Sequence, residues 1–217
     1  MTPSDVYLES LAIRNSLKAN MDMPSNPIDL SLDPVKPFQL SYDIQLIIIG
    51  QDPTIQNINS RKNISSTLNL DKNGSLKNYI ERVCRGLGIT LQHVYATNIF
   101  KYFYTHTPAT TIEVLEKHLA ANLVLLKKEL ASFPNAKVMT LGEPVLRLLE
   151  GKKAFVKNYW DYDQKTRVSG GNYTHCLACN NQLGKDIFVF PHQPSLRKEF
   201  YKNYLDKYIS FMRIYDK

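Results

Sequence analysis

Cysteine and tryptophan are scarce in this sequence. Its 217 residues contain one tryptophan and three cysteines, Cys84, Cys176 and Cys179. An odd and small number of cysteines argues against a disulfide framework and is typical of a reducing compartment, so we expect a cytoplasmic protein. Cys176 and Cys179 follow His175, but no second pair of ligands at zinc spacing accompanies them. We therefore predict no metal and no cofactor.

Long apolar runs are also missing. No segment approaches the roughly 18 apolar residues that a membrane-spanning helix requires. Asp5 and Glu9 flank only short apolar pieces near the N-terminus, where a secretory signal would need a continuous apolar core. We expect neither a membrane partner nor a secretion signal.

Acidic residues are outnumbered by basic ones. The 27 Lys and Arg against 20 Asp and Glu give a formal net charge of +7, which favours an anionic partner such as nucleic acid. Hydrophobic residues make up 43% of the chain, enough to bury one substantial core at this length. We expect a monomer with a single domain over residues 1–217, in which residues 1–40 form an N-terminal helix and a segment that wraps over the core.

Short apolar runs alternate with helical patterns along the chain. The predicted strands cover residues 44–50, 94–100, 137–141 and 187–190, and the predicted helices begin near Ser4, Ser75, Thr110, Val145 and Ser195. This alternation predicts an α/β fold, a three-layer sandwich around a four-stranded, mainly parallel sheet. Residues 54–74, rich in Asn, Ser and Thr, are predicted to form a substrate-facing loop, and residues 151–185 a surface insertion.

Polar residues stand at the ends of three predicted strands. Gly50-Gln51-Asp52-Pro53 ends the first strand, Asn98 lies near the end of the second, and His192 follows the fourth. Parallel strands end at one edge of the sheet, and ligands bind in the crevice beyond it, so we expect these side chains around one cleft. Structural roles are also open: Asp52 as a turn residue, Asn98 as a partner of a backbone group, and His192 as a helix cap.

The motifs resemble those of the uracil-DNA glycosylase superfamily over about residues 44–210. Gly50-Gln51-Asp52-Pro53 is similar to the opening motif of its major family, and residues 75–79 to the helix start that follows. Asn98 stands like the superfamily's base-reading Asn, and residues 139–142 resemble its third strand. His192-Gln193-Pro194-Ser195-Leu196 resembles a variant of its His-Pro-Ser-Pro-Leu motif.

The resemblance implies a hydrolase that flips uracil or a related damaged base out of DNA and cleaves its N-glycosidic bond, as in base excision repair. It implies two catalytic residues: Asp52 would orient water and face the sugar cation, and His192 would donate to the base carbonyl. Asn98 would read the edge of the base. The further residues expected to bind substrate are Gly50, Gln51, Thr54 and Ser65.

The segment after His192 is expected to contact DNA. Leu196 suits a wedge that fills the gap left by the flipped base, or else a simple packing contact at the helix start. Arg197, Lys198 and Lys202, with Ser195, suit contacts to phosphates, although a solvated basic face would have the same composition.

The sequence departs from the family pattern at several positions. Thr54 replaces the aromatic residue that excludes the thymine methyl, and the position of the base-stacking Phe falls among residues 64–66. Gln193 interrupts the His motif, and three cysteines are too few for the iron–sulfur branches. Two alternatives stay open: a non-catalytic nucleic-acid-binding protein on the same fold, and an enzyme that acts on a nucleoside or another lesion.

Overall fold

The computed structural model describes residues 1–20, 27–106 and 112–215. In this part of the chain the strands are β1 (Phe38–Gln39), β2 (Leu46–Gly50), β3 (Val94–Asn98), β4 (Lys137–Leu141) and β5 (Ile187–Phe190). The helices are α1 (Pro3–Lys18), α2 (Ile58–Arg61), α3 (Ser75–Leu87), α4 (Ile112–Ala131), α5 (Glu143–Leu149), α6 (Val156–Tyr159) and α7 (Glu199–Ile214). Short 3-10 turns cover Thr67–Asn69 and Gln193–Arg197, among others.

The sheet is built around β2, whose five residues are all buried. Its strand order is β1-β3-β2-β4-β5, with β2, β3, β4 and β5 parallel and β1 antiparallel to β3. An apolar run without alternation suits such a strand because both of its faces are covered. Gly50 of β2 lies opposite Asn98 of β3, so the polar residues that follow these strands are neighbours.

Helices cover both faces of the sheet. The chain moves from β2 outward to β3 through α3, and back across β2 to β4 through α4. Right-handed crossovers in opposite directions place α3 and α4 on opposite faces. α7 packs on α3, and α1 and α5 pack on α4, which completes three layers.

The predicted fold class is confirmed, but the strand count was wrong. The four predicted strands are present, and β4 and β5 have the predicted bounds, whereas β2 begins two residues later and β3 ends two residues earlier than predicted. The fifth strand, β1, was missed because two residues in a proline-rich segment show no periodicity.

Several helix ends differ from the prediction. α1 is capped by Thr2 through a capping box with Asp5, not by Ser4. Ser75 is the first residue of α3 and Gly74 its cap. The predicted closing helix is divided, because a 3-10 turn ends at Arg197 and α7 begins at Glu199. The helix start predicted at Thr110 lies outside the described residues.

The region 151–185 is only partly a surface insertion. Trp160 is fully buried; its indole N–H donates to the Val189 carbonyl at 2.8 Å, and its ring stacks on Tyr208 with centroids 4.5 Å apart. Cys176 pairs with Ile187 in an isolated bridge at the sheet edge. A single tryptophan in a basic segment carries no periodic signal, so the sequence could not show this burial.

A buried ion pair fixes β3 to α4 behind the polar strand ends. Lys101 and Glu129 are both fully or nearly fully buried and pair with each other. Glu129 also accepts hydrogen bonds from the Tyr95 and Thr97 hydroxyls, each at 2.7 Å. Burial lowers the pKa of Lys101, and the Glu129 carboxylate opposes that shift. Separating the two partners would leave a buried charge without compensation. The ion pair therefore keeps Lys101, just after β3, beside Glu129 of α4.

In the part of the chain that the structure describes, no helix combines the length and the apolar character needed to cross a membrane.

Candidate active site

A cavity of about 310 Å³ lies at the carboxyl ends of β2, β3 and β4. Asp52, Asn98 and His192 all line it, as expected from their positions after the strands. The remaining lining residues are Gly50, Gln51, Thr54, Leu68, Leu76, Leu141, Pro144 and Val145. Such a volume is at the low end of small-molecule sites, which suits one nucleotide unit.

Asp52 presents a half-buried carboxyl group to this cavity. Burial is the main influence on it and raises its pKa from 3.8 to about 6. Hydrogen bonding to Thr54 opposes the shift; the Thr54 backbone N–H donates to Asp52 Oδ1 at 2.8 Å. A carboxyl group with a pKa near 6 is still largely ionised at neutral pH, and a raised pKa makes it a better base.

Arg61 fixes the loop that carries Asp52. Its guanidinium is buried and donates to the Ile55 carbonyl at 2.9 Å and to the Tyr104 carbonyl at 2.7 Å. Its charge also moderates the raised pKa of Asp52. This role was not predicted, because an arginine in a polar loop ordinarily lies in solvent and nothing in the sequence marks Arg61 as buried.

Asn98 is buried and reaches across the end of β2. Its Oδ1 has no hydrogen-bond partner, although it is shielded from solvent. A Cβ atom on Gly50 would lie 2.3 Å from that oxygen, so only glycine at position 50 leaves room for the Asn98 side chain. Gln51 supplies a second such atom, because its Nε2 is also buried and has no hydrogen-bond partner. Buried amide atoms without a partner also occur at Gln39, Asn69 and Asn122, but only those of Gln51 and Asn98 share this cavity, where a bound ligand would pair with both.

His192 lies at the rim of the cavity. Partial desolvation of its ring lowers its pKa below the ordinary 6.5, which favours the neutral imidazole. A neutral imidazole keeps one N–H donor. Gly142, at φ +90°, lets the chain after β4 pass close to His192; a Cβ there would lie 3.1 Å from the His192 Cβ. His192 is the N-cap residue of the following 3-10 turn, but its side chain makes no capping hydrogen bond there.

The apolar wall of the cavity comes from residues that the sequence did not mark. Leu68 and Leu76 line it, and Leu68 has a left-handed backbone with φ 61°. Left-handed backbone is uncommon for a leucine and is strained, a feature that clusters at functional sites. Ser65, predicted to bind substrate, does not line the cavity: it is exposed, and its hydroxyl donates to Asp71 Oδ2 at 2.5 Å.

Thr54 lines the cavity without filling it. Its Oγ1 accepts a hydrogen bond from the Tyr104 backbone N–H at 2.9 Å. Among the described residues, no Phe, Tyr or Trp side chain lines this cavity. The lining therefore offers no such ring for stacking on a base, and Leu68 and Leu76 provide an aliphatic surface instead.

The predicted DNA-contacting residues follow His192 directly. Arg197, Lys198 and Lys202 are exposed around the 3-10 turn and the first turns of α7. Leu196 is half-buried and packs on the core, which matches a packing contact as well as a wedge. Ser195 closes the turn, its N–H donating to the His192 carbonyl at 2.8 Å.

The described residues contain no group of three or more His, Cys, Asp or Glu side chains placed to hold a metal ion. Cys84 and Cys176 are buried thiols and Cys179 is exposed. Burial raises the pKa of both buried thiols, to about 12 for Cys84 and about 11 for Cys176, so neither is a ready nucleophile.

Comparison with known proteins agrees with the fold. No curated protein matches the sequence at a significant level. The family model described as the uracil DNA glycosylase superfamily matches residues 37–213. This range includes all five strands and all residues that line the cavity, and it leaves out residues 1–36. The chain belongs to the uracil DNA glycosylase superfamily.

Proposed function

We propose that the protein is a DNA glycosylase that hydrolyses the N-glycosidic bond of uracil or a related damaged base in DNA. The observation that carries the proposal is the meeting of one carboxylate and two unpartnered amides at a cavity of nucleotide size. Family membership supports a glycosylase-like function, and the net charge of +7 suits a DNA substrate.

Cleavage of the bond develops positive charge on the sugar and negative charge on the departing base. The Asp52 carboxylate stabilises the positive charge on the sugar and accepts a proton from the attacking water. Its pKa of about 6 supports both tasks, since the group is ionised at neutral pH and is more basic than an ordinary aspartate.

The base itself is recognised by the amides. Asn98 and Gln51 have one unpartnered polar atom each, an acceptor and a donor, which complement the mixed edge of a pyrimidine. A neutral His192 donates its N–H to the base oxygen where negative charge grows. Because this donor is neutral, removing it from water when the base binds costs little free energy.

A base-release assay tests the proposal. Oligonucleotides that carry uracil, C5-substituted uracils and other lesions, in single strands and duplexes, are incubated with the wild-type protein, Asp52→Asn and Asp33→Asn. Asp33 is exposed and lies outside the cavity, so its variant is the matched control. We expect the wild type and Asp33→Asn to release at least one base and Asp52→Asn to be slower by about 10²–10⁴-fold.

Binding of the same oligonucleotides, measured by fluorescence anisotropy, should be retained by Asp52→Asn. If the wild type binds DNA but releases no base from any substrate, the non-catalytic binding protein is the correct interpretation.

A further inference from the structure

A second concave surface lies beside the candidate active site. This groove has a volume of about 700 Å³ and is formed by the region 151–185 and the start of α7. Four half-buried aromatic residues line it, namely Phe155, Tyr162, Phe200 and Tyr204. Tyr162 and Phe200 are in edge contact with ring centroids 4.8 Å apart, and Phe200 and Tyr204 lie 5.1 Å apart. Three of these rings, those of Tyr162, Phe200 and Tyr204, therefore form a row.

Cations are interleaved with these rings. Lys157 Nζ lies 5.8 Å from the centre of the Phe155 ring and 5.4 Å from that of Tyr162. Arg167 and Lys198 complete the basic lining, and none of the three cations forms an ion pair within the described residues. Of the two carboxylates that line the groove, Glu143 is paired with Arg147 at 3.4 Å, whereas Glu199, at the start of α7, has no ion-pair partner among the described residues. Three unpaired cations therefore stand against one unpaired carboxylate, and the net charge of these four groups is positive.

The groove and the candidate active-site cavity both adjoin a third pocket. A pocket of about 180 Å³ lies between them; it shares Pro144 and His192 with the cavity, and Glu143, Lys198 and Tyr201 with the groove. A strand whose nucleotide enters the cavity beside His192 would thus be led past Lys198 into the groove.

We propose that this groove binds a single-stranded segment of DNA that flanks the nucleotide in the cavity. Stacking on protein rings requires bases that are not enclosed in a duplex, and a row of rings with interspersed cations is the pattern of single-strand binding sites. Phosphates would meet Lys157, Arg167 and Lys198, while bases would stack on Tyr162 and its neighbours. The choice of DNA rests on the proposed function; the preference for an unpaired strand comes from the groove itself.

Undamaged oligothymidylates test the inference independently of base release. Their binding is measured by fluorescence anisotropy over lengths of about 4–16 nucleotides, with a matched duplex in parallel. Tyr162→Leu retains an apolar side chain but removes the ring, and should weaken single-strand binding about tenfold. Lys157→Gln removes one charge and should lower the slope of log affinity against log salt by about 0.7.

The controls are Tyr42→Leu and Lys127→Gln. Tyr42 is 86% exposed, and Lys127 is an exposed lysine of α4 outside the groove. We expect both to bind single strands like the wild type, and thermal unfolding will show that all four variants are folded.

Duplex binding should change little in Tyr162→Leu. Equal losses on duplex and single strand, unchanged binding in both groove variants, or tighter binding of single-stranded RNA than of DNA would each overturn the inference. The two proposals fail separately. If no base is released but Tyr162→Leu weakens oligothymidylate binding, only the glycosylase proposal fails; if bases are released and the groove variants bind normally, only the groove proposal fails.

Discussion

Asp52 lines the candidate active site in an environment that is unfavourable for its charged form. Burial raises its pKa from 3.8 to about 6, so the folded chain holds this proton more tightly than the unfolded chain does. The group therefore favours folding while it is protonated. That contribution is complete below about pH 3.8 and is lost as the pH rises to about 6. At neutral pH the ionised Asp52 destabilises the protein.

Asp52→Asn should therefore stabilise the protein at pH 7 while it removes base release. The amide keeps an acceptor for the Thr54 N–H but carries no charge, so we expect the free energy of unfolding to rise by about 1–3 kcal/mol. Urea unfolding at pH 7 measures the gain, which should shrink as the pH approaches 4. A variant that is less stable than the wild type at both pH values would show that the carboxylate is held by favourable interactions instead.

The pH dependence of base release should follow the same group. If the Asp52 carboxylate is the active form, the single-turnover rate should rise with pH and level off above about pH 6. A rate that is flat between pH 5 and pH 8 would contradict this assignment.

The small side chain of Thr54 leaves free space in the cavity beside the proposed position of the base. Thr54→Tyr should narrow the range of C5-substituted bases that are released, because the ring would occupy space that the threonine leaves empty. It should also cost about 1 kcal/mol of stability, since the Tyr104 N–H loses the Thr54 hydroxyl. Relative release rates for uracil and thymine analogues provide the measurement. An enzyme that already rejects every C5-substituted uracil would show that other residues close the cavity.

Among the elements, the pairing of β2 and β3 brings the segment that carries Asp52 next to Asn98. Gly50 lies opposite Asn98 in the parallel register, and the Ile99 and Phe100 N–H groups donate to the Gly50 and Gln51 carbonyls, both at 2.9 Å. The two strands thus remain connected beyond their last residues, which fixes Gln51 beside Asn98.

Gly50→Ala should disturb this arrangement. The added Cβ would lie 2.3 Å from Asn98 Oδ1 and 3.2 Å from Leu68 Cδ2, so we expect base release to fall at least tenfold and stability by about 1–3 kcal/mol. Gly74→Ala is the matched control, because a Cβ there meets no atom within 4 Å. In an Asn98→Ala background the same Gly50 substitution should destabilise the protein much less; an undiminished loss would point to the contact with Leu68 instead.

The elements also show where sequence patterns are informative. β4 and β5 were predicted with correct bounds because buried parallel strands are short apolar runs ended by Gly142 and Pro191. The two-residue β1 and the left-handed Leu68 were not predicted, since neither has a periodic or compositional signal. Both are produced by contacts with residues distant in the sequence: β1 pairs with β3, and Leu68 packs beside Gly50.

At the scale of the whole molecule, the excess of positive charge should govern association with DNA. Lys198 is exposed and lines the pocket that adjoins the cavity, and Lys202 is exposed four residues further along the chain, in α7. Replacing both with Ala should reduce the magnitude of the salt slope for duplex binding by up to about 1.8, or 0.9 for each lost phosphate contact. Lys117→Ala with Lys127→Ala on α4 removes the same charge elsewhere and serves as control. A slope that falls equally in both double variants would show that net charge, not this face, attracts DNA.

The amino-acid sequence is sufficient to locate the four parallel strands along the chain and the polar residues at or just after their ends. These features are local: apolar runs specify buried strands, and Asp52, Asn98 and His192 stand at their ends. Four further features follow from packing and could not be predicted: the raised pKa of Asp52, the burial of Arg61, the amides of Gln51 and Asn98 with an unpartnered atom, and the groove beside the candidate active site. Each of these depends on desolvation or on contacts between segments far apart in the chain, and such effects arise only when the packed fold brings those segments together.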